Sequence, residues 1–404
     1  MSPAKRNEPP TYTLEGTRFD IRTEAVSAMP PAARFQFIRA FLKALSGEIS
    51  QDRMRLVSRY SCDAEMRDLR RMCRTPTGEY LRQDETRGTR DVLMFGAPGR
   101  SHLEHTAHVN WRMETSEGHL ETQIKTGDKR LVERINRYLT AANKHDFRER
   151  DEFLPGLFKY LKTHFALSGG FPPFHARLIA ERFLPESGDC IVVDPCAGHG
   201  GRLLGVLSAK RSDGIRYIGT DPNRRNQPAY KTLAERVTKH LAPRDVKGKR
   251  SARVVPKPFE DWIETRDAKA LYGRVDLVLT SPPYFSQEKY DPKSNRQSAA
   301  RYVTYAEWRR RFLHPLIQGA ARLLKPGGVF VLNIADVAQK GRVYRLEKNS
   351  VDHATLAAGL VLEDTLKLAM PVRPGGQKQA LRHEIRVDGN RWKYEPVFVL
   401  RKEN

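Results

Sequence analysis

Five short runs of apolar and β-branched residues, Cys190 to Val193, Tyr217 to Thr220, Ala252 to Val255, Val275 to Leu279 and Val329 to Ile334, alternate with helix-like segments. Parallel neighbours in a sheet need a crossover long enough to hold a helix, so this alternation predicts an α/β fold with a doubly wound, mostly parallel sheet. Helices are expected over Arg202 to Lys210 and Arg225 to His240. Another should start at the capping box Thr304-Tyr-Ala-Glu307 and run toward Leu324, with Trp308, Phe312, Leu316, Ile317, Ala320 and Leu324 facing inward. Pro315 should kink it, and Lys325-Pro-Gly-Gly328 should end it. Val361 to Met370 and Pro396 to Arg401 read as two further strands.

Open α/β sheets bind ligands beyond the carboxyl ends of their strands. Two loops fall there: Asp194-Pro-Cys-Ala-Gly-His-Gly-Gly-Arg202 and Thr280-Ser-Pro-Pro-Tyr-Phe285. In the first, Gly198 and Gly200 let the backbone approach a ligand where a Cβ would clash. Asp221 closes the next strand, where an acid accepts hydrogen bonds from both ribose hydroxyls of a nucleotide cofactor. Leu203 replaces the last glycine of the dinucleotide pattern, and the loop lacks the lysine of a triphosphate-binding loop. Cys196 reads as a small packing residue rather than a thiolate nucleophile.

The second loop suits an amine. An exocyclic amine on a purine or pyrimidine is a poor nucleophile because its lone pair is delocalised. Acceptors for its two N–H bonds favour a pyramidal nitrogen and free that lone pair for in-line attack. Ser281 Oγ and the carbonyl of Pro282 have the chemistry to serve, with Pro282 and Pro283 stiffening the loop and Tyr284 available to stack on the base.

Charge points to the partner. The 404 residues carry a formal net charge of +23, which attracts a polyanion in a salt-dependent manner. Arginines cluster in Arg67 to Arg74, Lys247 to Arg253, Arg309 to Arg311 and Arg373 to Arg391. No apolar run reaches the roughly 18 residues of a membrane span, and the amino terminus lacks a signal-like apolar stretch, so a cytoplasmic, nucleoid-associated protein is expected. Four cysteines without a C-x-x-C pair argue against a metal cluster.

Residues 1–150 are expected to form an accessory or target-recognition region, and 151–404 a second domain. Within the first, Phe35, Ile38, Phe41, Leu42 and Leu45 share one face of a helix over Pro31 to Leu45. A second, arginine-rich helix is expected from Gln51 to Arg74 and a loop from Thr75 to Arg90. His108 to Met113 and His119 to Ile124 read as a β-hairpin.

From about residue 155 to 401 the chain resembles the class I S-adenosylmethionine-dependent amino-methyltransferases that modify N4 of cytosine or N6 of adenine in DNA. The resemblance rests on the glycine loop, Asp221 and the Ser-Pro-Pro-Tyr loop, in that order. It implies a seven-stranded Rossmann-like methyltransferase sheet, with a mainly helical amino-terminal region added. It also implies S-adenosylmethionine as cofactor, with Asp194, Ala197, Gly198 and Gly200 around the methionine part, Asp221 on the ribose and Asp261 of Phe259-Glu-Asp-Trp262 on the adenine. Phe174, in Phe171-Pro-Pro-Phe-His-Ala-Arg177, falls in a segment similar to the family's additional cofactor-lining motif. Ser281, Pro282, Pro283 and Tyr284 are the implied catalytic set, Ser281 also bordering the cofactor.

Ser-Pro-Pro-Tyr is more typical of N4-cytosine enzymes, so the resemblance implies site-specific methylation of cytosine N4 in DNA, ahead of adenine N6, with RNA behind both. Such enzymes take the base out of the duplex, and many belong to restriction-modification systems. Target recognition then falls to the amino-terminal region, or to Ser286 to Arg301 and the loop from Arg373 to Arg391. The alternatives are an inactive nucleic-acid-binding protein on this scaffold and methylation of a protein amide.

Overall fold

The computed structural model describes residues 12–14, 17–19, 26, 28–50, 62–94, 96, 98, 114–115, 118–141, 170–211, 213–241, 248–285, 290, 294–339, 341–370 and 383–403. The chain divides into two compact units. One comprises Met1–Arg59, Ala107–Ser168 and Tyr290–Pro292; the other comprises Tyr60–Thr106, Gly169–Lys289 and Lys293–Asn404.

The smaller unit is mainly helical. Its helix Pro31–Ser50 buries Ile38, Phe41, Leu42 and Leu45, at the helical spacing read from the sequence, and packs against helices Leu120–Thr126 and Lys129–Ala141. Arg34 Nε donates to Asn136 Oδ1 at 2.7 Å across that contact. The first strand of the anticipated hairpin, His108 to Met113, lies outside the described residues. The second strand is replaced by the helix Leu120–Thr126, whose Ile124 is buried. Tertiary packing has overridden a weak alternation there.

The larger unit is built on a ten-stranded sheet. Its strands are β1 (Leu81–Asp84), β2 (Thr89–Leu93), β3 (Asp189–Asp194), β4 (Gly214–Thr220), β5 (Lys249–Val255), β6 (Val275–Thr280), β7 (Leu324–Asn333), β8 (Leu360–Met370), β9 (His383–Val387) and β10 (Asn390–Lys402). The order is β1-β2-β8-β10-β7-β6-β3-β4-β5, with β9 paired to β10. β3 to β7 are mutually parallel, whereas β10 runs antiparallel between β7 and β8. The seven strands β3 to β8 and β10 form the expected Rossmann-like methyltransferase sheet. Every residue of β6 is buried, as expected for a central parallel strand covered on both faces. Asp276 is tolerated there because its carboxylate accepts from Ile191 N at 2.7 Å and pairs with Lys325.

Chain order reverses between β3 and β6, which lie side by side. A crevice opens where connections leave such a pair in opposite directions. Both loops singled out above begin there, after Asp194 and Thr280.

Thr75 to Arg90 is not a plain loop. It contains a 3₁₀ turn at Thr77–Tyr80 and the hairpin of β1 and β2, which extends the sheet because β2 pairs parallel to β8. The expected boundary near 150 therefore differs from the compact units. Leu69, Met72 and Cys73 of helix Cys62–Arg74 share a core with Ile179 and Leu203. Buried Arg177 ties that helix down by donating to the carbonyls of Met72 and Thr75. Residues 51–61 of the anticipated arginine-rich helix lie outside the described residues.

Helix geometry also departs from expectation near Pro315. Thr304 caps as read, its Oγ1 accepting from Glu307 N at 3.2 Å. The helix then runs as α over Tyr305–Trp308, π over Arg309–Leu313 and α again over His314–Leu323. A proline lacks the N–H that an α turn needs and crowds the carbonyl four residues back, and a wider π turn relieves both. Ser298–Arg301 forms a short helix and β9 occupies part of the anticipated basic loop, while 286–289, 291–293 and 371–382 lie outside the described residues. Among the described residues, no helix is long and apolar enough to cross a membrane.

The added hairpin is held by a buried ion triad. Lys367 Nζ of β8 lies 2.8 Å from Asp84 Oδ2 and 2.6 Å from Asp91 Oδ2, all three side chains nearly sealed from water. Burial opposes the charge on both partners. Nevertheless, hydrogen bonds from Lys367 and Thr86 hold Asp84 below the usual carboxylate range, and Asp84 and Asp91 hold Lys367 above its ordinary value. Asp84 thus contributes stability above its unfolded pKa, which is lost as pH falls through the lower folded value. Lys367→Met should destabilise the protein by about 3 kcal/mol by leaving two buried carboxylates uncompensated, measurable by denaturant unfolding. A loss well under 1 kcal/mol would refute that account.

Candidate functional site

Asp194 stands where β3 ends and is fully buried. Its Oδ2 accepts from Arg202 Nε at 2.8 Å and from the Tyr217 hydroxyl at 2.7 Å. Its Oδ1 accepts from Cys196 N and from Thr280 Oγ1, each at 3.1 Å. One carboxylate therefore folds the glycine loop back on itself and fastens it to the residue preceding Ser281. Arg202 adds a bond to the Cys196 carbonyl and stacks over Phe171, 5.7 Å from its ring centroid.

The loop beyond Asp194 is shaped by two left-handed glycines. Gly198 has φ 54° and Gly200 has φ 77°. A Cβ on Gly200 would lie 2.6 Å from Leu233 Cδ1, so space as well as backbone angle requires glycine there. The Gly198 carbonyl accepts from the Tyr230 hydroxyl at 2.6 Å and from Asn226 Nδ2 at 3.2 Å. Ala197 is buried and its N–H donates to Thr220 O at 2.9 Å.

Asp221 sits just past β4 and faces this loop. Its Oδ2 accepts from Gly198 N at 2.9 Å and its Oδ1 from Asn223 N at 2.8 Å. Burial pushes its pKa up to about 6, against those two backbone bonds. Each oxygen retains a lone pair for a further donor. Desolvation, aided by Asp194, raises the Cys196 thiol well above its ordinary value. It stays protonated, the opposite of what a nucleophilic cysteine needs.

Beyond β5, the acidic pair Glu260 and Asp261 divides its work. Both oxygens of Asp261 are forked by Arg301 at 2.9 Å, and its side chain is 48% exposed. Glu260 is nearly buried, at 8%. Its Oε1 accepts from Arg301 and Tyr302 at 3.1 Å, while its Oε2 is buried with no donor among the described residues. Burial raises the Glu260 pKa, and its charge is felt at Cys196.

The Ser-Pro-Pro-Tyr loop leaves β6 at its carboxyl end. Ser281 Oγ donates to Asn333 Oδ1 at 3.1 Å. The Tyr284 hydroxyl lies 3.4 Å from the same oxygen and 3.2 Å from Glu395 Oε2. Pro282 is buried and Pro283 half-buried. Phe285 then adopts φ 52°, unusual for a residue with a Cβ, and is held among Tyr305, Trp308 and Tyr344 at centroid distances of 5.5, 5.8 and 5.1 Å. That cluster holds a strained turn directly after Tyr284.

The structure thus brings Asp194, Ala197, Gly198, Gly200 and Asp221 together in one loop cluster, and Asp194 joins it to Thr280. Three residues depart from the expected pattern: Asp194, Phe174 and Asp261, the last with its carboxylate forked by Arg301. Asp194 has four donors and no exposure, so it organises the loops instead of presenting a free carboxylate. Phe174 is fully buried against Tyr80, 5.0 Å between centroids, because the first turn of helix Pro173–Phe183 faces the core. Within that segment it is Phe171 that meets the glycine loop, beneath Arg202. Asn333 and Glu395 escaped the sequence reading. A polar residue ending an apolar strand signals Asn333, whereas Glu395 is recognisable only once β10 is threaded beside β7.

Residues 275–401 match the family model described as DNA methylase. The chain is 30% identical over 162 residues to a release factor glutamine methyltransferase of Bifidobacterium longum, a match covering 38% of this chain. It spans about half, 49%, of that curated relative. Among solved structures, an S-adenosylmethionine-dependent methyltransferase of Methanosarcina mazei is similar at 15% identity and TM-score 0.34, covering 56% of this chain and 97% of that one. The 1,6-didemethyltoxoflavin-N1-methyltransferase of Burkholderia thailandensis, with bound S-adenosylhomocysteine, is similar at 15% identity and TM-score 0.32, covering 57% and 79%. The family match supports S-adenosylmethionine as the cofactor. From the strand that delivers Ser281 to the strand that carries Glu395, this chain is similar to the DNA methylase family.

Proposed function

We propose that the protein transfers a methyl group from S-adenosylmethionine to the exocyclic amine of a DNA base, cytosine N4 first and adenine N6 second. The observation that carries this reading is the Asp194 carboxylate, which bonds both the glycine loop and Thr280 and so keeps a nucleotide-binding loop beside an amine-binding one. The net charge of +23 supports a nucleic-acid partner.

The residues fit the cofactor. Asp221 has acceptor capacity for ribose hydroxyls, and the glycine loop facing it carries no side chain at Gly198 or Gly200. For the adenine, we move the assignment from Asp261, forked by Arg301, to Glu260, whose Oε2 is buried without a donor among the described residues. When bound, S-adenosylmethionine supplies a sulfonium-activated methyl, so that C–N bond formation accompanies S–C cleavage and the amine sheds one proton to water.

The chain's own part is positioning. Ser281 Oγ and the Pro282 carbonyl accept the two amine N–H bonds and favour a pyramidal nitrogen, which directs its lone pair toward the methyl. Tyr284, with its hydroxyl anchored at Asn333 and Glu395, is assigned to stack on the base. A second reading, methylation of a protein glutamine amide, draws on the curated relative. Serine in the Pro-Pro-Tyr loop and the large positive charge favour DNA.

Incubation with radiolabelled S-adenosylmethionine and pooled DNA, followed by mass spectrometry of nucleosides, should yield N4-methylcytosine or N6-methyladenine. Label confined to protein would favour the amide reading. Ser281→Ala should lower methyl transfer more than about tenfold with cofactor affinity intact; equal rates would reject its role. Asp221→Ala should weaken S-adenosylmethionine, as read by calorimetry. In the wild type, affinity should fall as pH drops through about 6, where Asp221 takes up a proton and loses acceptor capacity. A flat profile from pH 8 to 5 would count against the ribose assignment.

A further inference from the structure

We infer that Asn333 is a positioning residue that sets the polarity of the Ser281 hydroxyl, turning its lone pairs toward the target amine. The inference rests on the methylation reading above and adds to it the element that makes serine competent.

A serine hydroxyl carries one proton and two lone pairs, and either can meet an amine. Only the lone pairs help. If Ser281 donated its proton to the amine nitrogen, it would occupy the electron pair that must attack. The proton therefore needs another acceptor, and Asn333 Oδ1 lies 3.1 Å from Ser281 Oγ.

An amide's two ends are interchangeable unless a neighbour tells them apart. Here the neighbour is the Pro396 carbonyl, an obligatory acceptor, which takes a hydrogen bond from Asn333 Nδ2 at 3.0 Å. Turning the amide round would face two oxygens at that distance, with no proton between them. The NH2 end thus stays on Pro396 and the oxygen stays on Ser281. The Tyr284 hydroxyl, near Asn333 Oδ1 and Glu395 Oε2, meets two further acceptors, so its proton is also drawn inward.

The sheet supplies the rigidity. Asn333 ends β7 and is 3% exposed, and it pairs with Val397 of the antiparallel β10, next to Pro396. Backbone pairing between β7 and β10 thereby orients a side-chain amide, which orients a hydroxyl.

Two variants separate polarity from mere support. Asn333→Leu removes both the acceptor for Ser281 and the donor for Pro396. Asn333→Asp keeps an acceptor for Ser281 whether or not it is ionised, and once ionised it loses the donor to Pro396. With radiolabelled S-adenosylmethionine at saturation and pooled double-stranded oligonucleotides, Asn333→Leu should lose kcat by about tenfold or more. Asn333→Asp should stay within about threefold of wild type, and calorimetry should show S-adenosylmethionine binding within about twofold for both. Unchanged kcat in Asn333→Leu, or equal losses in the two variants at pH 8, would overturn the inference while leaving the methylation reading standing. Absence of transfer to any nucleic acid by the wild type would overturn the reading, and the inference with it.

Discussion

The buried carboxylate of Asp194 is the interaction on which the site depends. An ionised group without solvent is costly unless its lone pairs are filled, and here four donors fill them: a guanidinium, a phenol, a backbone N–H and a threonine hydroxyl. Those donors come from β4, β6 and the glycine loop that follows Asp194. Burial raises the cost of breaking the set, so the loop and the end of β6 are held in one arrangement. Asp221 and Ser281 inherit their positions from it.

Around that centre the sheet has been extended and stiffened in different ways. The hairpin of β1 and β2 lengthens the sheet beyond β8, and the Lys367, Asp84 and Asp91 triad ties it to β8 at the cost of burying three charges. Past the end of the interior strand β6, the turn after Tyr284 holds Phe285 at a positive φ against three aromatic rings. Dispersion and ring packing offset the backbone strain there.

Much of this was legible because it is local. The runs at Cys190, Tyr217, Ala252, Val275 and Val329 are strands for the reason they look like strands: apolar and β-branched side chains, covered on both faces in the central β6 and only partly in the edge strand β5. The left-handed turn of the glycines at 198 and 200 and the cap of the threonine at 304 are set within a few residues of backbone, and the acid at 221 is marked by its place at a strand end. The edge hairpin at 81–93 was not legible. Most of its residues are polar, and the pairing of Val92 and Leu93 with β8, far along the chain, joins it to the sheet. Phe174 misled for a related reason, since an aromatic beside two prolines looks the same whether its helix turns it toward a ligand or toward Tyr80.

Sequence alone determined the doubly wound architecture, the two loops at its switch point and the Ser-Pro-Pro-Tyr motif on which the amine-methylation proposal rests. These follow from periodicity, backbone permissiveness and functional-group type, which a linear chain carries openly. Tertiary structure decided how each acid is engaged: Asp194 by four donors, Asp261 by the guanidinium of Arg301, and Glu260 through one oxygen while no described donor reaches the other. It also decided the polarity of Ser281, through an amide on β7 held by a carbonyl on β10. Hydrogen-bond occupancy and direction are properties of neighbours, and the sheet brings those neighbours from distant parts of the chain.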